Sequence, residues 1–293
     1  MIDNYNGIKL GISTLGYSKL TRDVTYALSG LADIGYKYFE YSDMSSPFLD
    51  SGYLSGEKIR ELKKLVDMLG VKIISLHLPP DNGLGSVVSL DRAERAHAMK
   101  IVRRSLENGG ELGIEYAVFH PSEEEAFFTT SDSVSEAEKR LMDAANELAD
   151  VGEKNGIKIL LENLLGRFNG DIGMLGRVIR SIGKERIGLC FDLAHFWLGN
   201  SSPAAVINEN RELMSYLHIH DNNKKEDEHL MPGEGSIDWS EISRALHDIN
   251  YQGVFMLETV SSRRYKNPYS IAKEAKRICE ESFGIPDANR VAI

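Results

Sequence analysis

Six of the eight histidines, His77, His120, His195, His218, His220 and His229, fall at or just past the ends of short β-rich runs, and carboxylates join them there. Glu40, Glu162, Asp192 and Glu258 each close such a run, and Asp227 lies two residues before His229. A neutral imidazole and a carboxylate are natural ligands for Zn²⁺, Mn²⁺ or Mg²⁺. Asp192-Leu-Ala-His195 puts two such groups three residues apart where a strand enters a turn, so both can reach one site. Asp227-Glu-His229 has similar reach from the next loop. A lone histidine at a strand end is more often an ordinary hydrogen-bonded residue than a ligand. The case for a metal site rests on the conjunction, because ligand types end every predicted strand but the first. His97 and His247 fall on predicted helices and read as surface residues.

Other chemistries lack their signatures. The chain has no Gly-x-Gly-x-x-Gly, no Walker A pattern and no Gly-x-Ser-x-Gly elbow. Its two cysteines, Cys190 and Cys279, make neither a disulfide framework nor a Cys-rich zinc site, and both read as interior packing residues. Arg263 and Arg264, with Tyr265 and Lys266, form a small basic loop after the last strand. It can hold a substrate phosphate or carboxylate, or be simply solvated.

The elements that must position these groups alternate from end to end. Gly35, Gly70, Gly113, Gly156 and Gly253 each precede a β-rich run, as expected of helices ending in a left-handed glycine. The first four are 35 to 43 residues apart, a length that suits one αβ unit and is too irregular for a solenoid. Strands are predicted over 8–14, 36–41, 71–77, 114–120, 157–162, 186–192, 216–221 and 254–258. Helices are predicted over 21–34, with Thr21 as N-cap, and over 56–69, 89–112, 134–154, 171–182, 203–213, 239–249 and 268–283. Eight strands each followed by a helix predict an α/β fold, a single (β/α)8 TIM barrel spanning 1–293. A doubly wound open sheet alternates in the same way and is the second choice. In a barrel every strand's C-terminal end faces one mouth, so residues far apart in sequence converge. The loops richest in Gly, Ser and Asp, at 79–86, 166–173 and 222–235, follow strands. Alternation along a strand puts His218 and His220 on one face, Glu162 with Leu160, and Asp192 with Cys190.

Composition narrows the class. The chain has 293 residues with 34 basic and 44 acidic ones, a net charge of −10 that argues mildly against a nucleic-acid partner. An apolar share of 42% suffices for a large core, and 27% charged residues excludes wholesale disorder. No apolar run is long enough to span a membrane and no secretory signal is visible, so a cytoplasmic protein is expected.

These motifs carry a resemblance. Leu161-Glu-Asn163, Cys190-Phe-Asp-Leu-Ala-His195, and His218-Ile-His-Asp221 running on to Asp227-Glu-His-Leu-Met-Pro-Gly-Glu-Gly-Ser-Ile-Asp-Trp239 are similar to the xylose-isomerase-like TIM-barrel superfamily. The likeness runs from Leu10-Gly-Ile-Ser13 to Leu257-Glu-Thr259. That group includes sugar and sugar-phosphate isomerases and epimerases, inosose dehydratases and isomerases, and the endonuclease IV group of DNA-repair enzymes. The epimerase branch implies one divalent metal (Zn, Mn, Mg or Co) on Glu162, Asp192, His218 and Glu258, with His195 touching substrate. The endonuclease IV branch implies a trinuclear zinc site, and its nine ligand types fall on those four plus His77, His120, His195, Asp227 and His229. Departures point away from repair. His120 is followed by Pro-Ser-Glu-Glu-Glu-Ala rather than Pro-Gly-Ser-His, and Glu162-Asn163 by Leu-Leu-Gly-Arg-Phe rather than Thr-Ala-Gly-Gln-Gly. The acidic run Glu123-Glu124-Glu125 would repel a phosphodiester backbone beside the mouth.

The resemblance implies a metal-dependent isomerase or epimerase of a small sugar, sugar phosphate or polyol ketone acting through an enediolate. Glu162 and Glu258 would be base and acid on opposite substrate faces, and His195 would orient a hydroxyl. His77, His120 and His220 would line the pocket or add ligands, and Glu40 and Arg263 would contact substrate. A dehydratase of an inosose shares the same enolate logic. Relatives are often dimers or tetramers, so a homo-oligomer is among the assemblies the resemblance allows.

Overall fold

Apolar runs with both faces buried become strands wherever helices cover one side of a sheet and a packed interior covers the other. The computed structural model describes residues 8–17, 24–42, 56–78, 86–122 and 130–284. The predicted Thr21 cap, the loop at 79–85 and the Glu123–Glu125 run lie outside the described residues.

The strands are β1 (Lys9–Ser13), β2 (Tyr38–Ser42), β3 (Lys72–His77), β4 (Tyr116–Phe119), β5 (Lys158–Glu162), β6 (Ile187–Asp192), β7 (Met214–Ile219) and β8 (Val254–Leu257). The helices among the described residues are α1 (Val24–Ile34), α2 (Gly56–Leu69), α3 (Arg92–Leu112), α4 (Ser131–Asn155), α5 (Ile172–Ile182), α6 (Leu193–Leu198), α7 (Pro203–Glu209), α8 (Trp239–Asp248) and α9 (Pro268–Phe283). The strands follow one another in sequence order around a closed barrel, which decides for the (β/α)8 fold over the open sheet. All eight predicted strands are present, with ends shifted by up to two residues. The six-residue α6 is additional, being too short to show a helical period.

The chain divides into two compact units. One takes Met1–Tyr41, Leu65–Lys72 and Phe191–Ile293, and in it β1 pairs in parallel with β2 and β8, and β7 with β8. The other takes Ser42–Lys64 and Ile73–Cys190, and in it β3, β4, β5 and β6 pair in parallel succession.

Local chemistry sets the helix ends. Asp91 caps α3 by accepting from the Ala93 and Glu94 amides. Thr130 and Ser133 cap α4 reciprocally, and Asn267 caps α9 ahead of Pro268. Gly35, Gly70, Gly113 and Gly156 have positive φ, as expected. Gly253 departs from expectation. After α8 the left-handed residue is Asn250 (φ 50°), and a Cβ at Gly253 would collide with the Tyr251 hydroxyl, which donates to the Val254 carbonyl.

Candidate metal centre

In the first unit the groups are set by the ends of β6, β7 and β8. Asp192 is the last residue of β6 and the N-cap of α6, its Oδ1 accepting from the His195 amide at 2.7 Å. That cap turns the chain so that the His195 ring comes back toward the strand end. Asp192 Oδ2 lies 2.9 Å from Nε2 of His220, which is fully buried. Asp192, His195 and His220 each bring a ligand atom within 4.8 Å of the others, as do His220, His229 and Glu258. His220 stacks on His229 with ring centroids 4.0 Å apart. Asp227 Oδ2 lies 3.0 Å from Nε2 of His229 and 3.3 Å from Nε2 of His195. His218, on β7, has Nδ1 3.5 Å from Oε2 of Glu258 and Nε2 3.3 Å from Oε2 of Glu40.

In the second unit, Nε2 of His77 and Nε2 of His120 lie 3.3 and 3.0 Å from the same oxygen of Glu162. The two rings meet edge to face, with centroids 4.7 Å apart. These three residues also bring ligand atoms within 4.8 Å of one another.

The donor set suits a divalent cation. His77 Nδ1 donates to the Leu78 carbonyl at 3.1 Å, and His229 Nδ1 donates to the Glu258 carbonyl at 2.9 Å. In the neutral ring each bond leaves the lone pair on Nε2, and each Nε2 faces a carboxylate oxygen. A lone pair facing an anionic oxygen is relieved by a proton or a cation. A backbone carbonyl behind the ring is the arrangement in which metal-ligating histidines are held. Burial lowers the affinity of His220 for a proton. Burial also pushes the Asp227 carboxyl up, but hydrogen bonds from His195 and His229 outweigh it and hold Asp227 well below the carboxylate range. For His229 burial is overcome by Asp227, which raises the imidazole to about 9.

The loop carrying Asp227 and His229 is pinned by a residue that sequence reasoning passed over. Asp221 is fully buried, and its carboxylate accepts from four donors. These are the amides of Asn222 (2.9 Å), Gly233 (2.9 Å) and Ile237 (3.3 Å) and the Trp239 indole (2.9 Å). A Cβ at Gly235 would strike that carboxylate, which explains the glycine. His229 sits at φ 46°. For a residue other than glycine that costs on the order of 1 kcal/mol or more, and the surrounding bonds must impose it. Its carbonyl accepts from the Val260 and Ser261 amides, and Leu230 bridges Asp221 and Ser261. In the sequence Asp221 stands out only as the last residue of the His218-Ile-His-Asp221 segment, which does not show this anchoring work.

Of the remaining sequence candidates, Glu40 is fully buried and lies against His218 and the Tyr216 hydroxyl. Arg263 is exposed, with its guanidinium 3.4 Å from Glu228, while Arg264 pairs with Glu234 at 2.7 Å. Acidic partners within the loops thus offset the charge of that basic segment. His97 and His247 are exposed on helices, and Cys190 and Cys279 are buried and not joined in a disulfide.

Known proteins place this fold. The chain is 28% identical to the "Uncharacterized protein MJ1311" of Methanocaldococcus jannaschii, over 94% of this chain and 91% of that one. It is 23% identical to the inosose dehydratase of Geobacillus thermodenitrificans, over 96% of this chain and 99% of the relative. A solved D-tagatose 3-epimerase-like protein superposes with a TM-score of 0.78 at 26% identity, covering 94% of this chain and 97% of its own. The family model described as xylose isomerase-like TIM barrel matches residues 28–281, and the chain belongs to that family.

Proposed function

We propose that the chain is a divalent-metal-dependent isomerase or epimerase of a small sugar, sugar phosphate or keto-polyol, with Glu162, Asp192, His218 and Glu258 as the metal ligands. The observation that carries it is strand register. Glu162 on β5 pairs with Cys190, and Asp192 follows two residues later on the same face of β6. His218 on β7 pairs with Met256, and Glu258 follows two residues later just past β8. The same offset recurs at both pairs, so each brings two ligand types to one face of neighbouring strands. The relatedness to an inosose dehydratase and to a D-tagatose 3-epimerase-like protein supports a polyhydroxylated carbonyl substrate.

A bound divalent cation supplies Lewis acidity toward a carbonyl and its neighbouring hydroxyl. The chain supplies the proton traffic. One of Glu162 and Glu258 takes the proton from the carbon beside the carbonyl, and the other returns one from the opposite face, inverting that carbon. Return at the neighbouring carbon gives an isomerase, and expulsion of a β-hydroxyl gives a dehydratase. Both carboxylates are almost fully buried, which excludes water competing for the proton. His195, whose Nε2 lies against Asp227, would hold a substrate hydroxyl.

The test is turnover on a panel of ketoses, their phosphates and inososes. Glu162→Gln and Glu258→Gln should each abolish a detected activity, and full activity in both would remove them from acid–base chemistry. The assembled His77–His120–Glu162 and His195–Asp227–His229 groups favour one second reading, a zinc phosphodiesterase of the endonuclease IV type. Elemental mass spectrometry of protein purified without chelator separates the two. About one ion per chain supports the isomerase, and about three zincs make abasic duplex DNA the first substrate to try.

A further inference from the structure

Glu40 is a fully buried carboxylate that the proton traffic does not use. It sits in the middle of β2, and its Oε2 lies 3.3 Å from Nε2 of His218. The same oxygen accepts the Tyr216 hydroxyl at 3.3 Å. Tyr216 and His218 stand two apart on β7 and so share one face, with their rings edge to face at 5.7 Å. The opposite ring nitrogen of His218, Nδ1, is the one turned toward Glu258, at 3.5 Å. His218 is therefore gripped from both sides by carboxylates that have different work to do.

A carboxylate accepts and does not donate, so the Glu40 contact requires the proton on Nε2 of His218. That tautomer leaves the lone pair on Nδ1, facing Glu258. We infer that Glu40 is a positioning residue for His218, holding it in the Nε2–H tautomer that aims the Nδ1 lone pair at the metal position. Tyr216 keeps the Glu40 carboxylate from turning away. Glu40 exposes none of its surface, so its partner is a histidine and not a substrate hydroxyl. A carboxylate behind a ligating imidazole also makes the ring a stronger donor, and loss of such a partner typically weakens metal binding about 10- to 100-fold. This last consequence rests on the metal reading above, whereas the tautomer does not.

The experiment uses full-length protein with ¹⁵N-labelled histidine. Long-range ¹H–¹⁵N correlation reports which ring nitrogen carries the proton, and a His218→Asn sample identifies the His218 signals. In metal-free wild type, His218 should carry a proton at Nε2, whether Nδ1 is bare or shares a proton with Glu258. Glu40→Leu should lose the fixed Nε2 proton, and Glu40→Gln, whose amide oxygen still accepts, should keep it. Glu40→Asp, one methylene shorter, should behave as Glu40→Leu does, and it replaces that variant if the leucine disturbs folding by circular dichroism. Zinc affinity, read by competition with a chromophoric chelator, should fall about 10- to 100-fold in Glu40→Asp and less in Glu40→Gln. A wild-type His218 without a proton at Nε2, or an Nε2 proton unchanged in both Glu40→Leu and Glu40→Asp, overturns the inference. Changed tautomer with unchanged zinc affinity overturns the claim that Glu40 tunes the ligand. Absence of zinc uptake by wild type defeats the metal reading while the tautomer is still measured.

Discussion

His220 reaches Oδ2 of Asp192 at 2.9 Å on the side of the carboxylate away from Oδ1, which accepts the His195 amide at 2.7 Å. One side chain thus ends a strand, starts a helix and partners Nε2 of a fully buried imidazole. Asp192→Ala should therefore destabilise the protein even without metal, by about 2–4 kcal/mol from the lost cap and the orphaned imidazole together. Asp192→Asn, which can still cap, should cost less. Urea unfolding with chelator present checks both, and equal costs would mean that the cap contributes nothing.

Asp221 should behave as a loop anchor. Asp221→Asn turns an amide NH₂ toward donors that the carboxylate now accepts, which should cost about 2 kcal/mol or more. It should also open the 222–238 segment to limited proteolysis. Gly235→Ala should give the same cleavage pattern, because its Cβ would displace the same carboxylate. Unchanged proteolysis in both variants would show that the segment holds its course without Asp221.

Glu234 ties this loop to the segment after β8 by accepting from Arg264, the Arg263 amide and Ser262. Burial pushes its carboxyl up, but those donors outweigh it and the group is held below its ordinary value. A depressed carboxylate contributes stability above its unfolded pKa and loses it as pH falls through the folded one. Glu234→Gln should thus cost about 1 kcal/mol near pH 7 and progressively less on acidification, read from paired urea melts. A cost independent of pH would assign the effect to shape and not to charge.

Cys279 is buried on α9, and burial raises its thiol to about 12. The thiolate is the reactive form, so neither Cys279 nor the equally buried Cys190 should react with iodoacetamide near pH 8 until the protein unfolds. Alkylation of the native protein, read by mass spectrometry, would show that the helix opens locally.

The alternation of strands and helices was legible because burial on both faces of a strand demands continuous apolar runs, and four of the five flagged glycines do end their segments at positive φ. Gly253 was misjudged because a glycine demanded by a neighbouring tyrosine hydroxyl looks the same in sequence as one demanded by a left-handed turn. The histidines and carboxylates could be picked out by type and by their place at strand ends. The work of Asp221 could not, since its four donors come from the residue beside it and from three positions 12 to 18 residues away.

The sequence by itself determined the order of the strands, the kinds of ligand at their ends and the class of chemistry those kinds allow. These depend on local periodicity and on side-chain type. Tertiary structure alone decided that the strands close into a barrel, that Glu40 faces Nε2 of His218 while Glu258 faces Nδ1, and that Asp192 serves His195 and His220 at once. Which nitrogen meets which oxygen is a matter of ångströms between strands that are distant along the chain, and a pattern of residue types does not contain it.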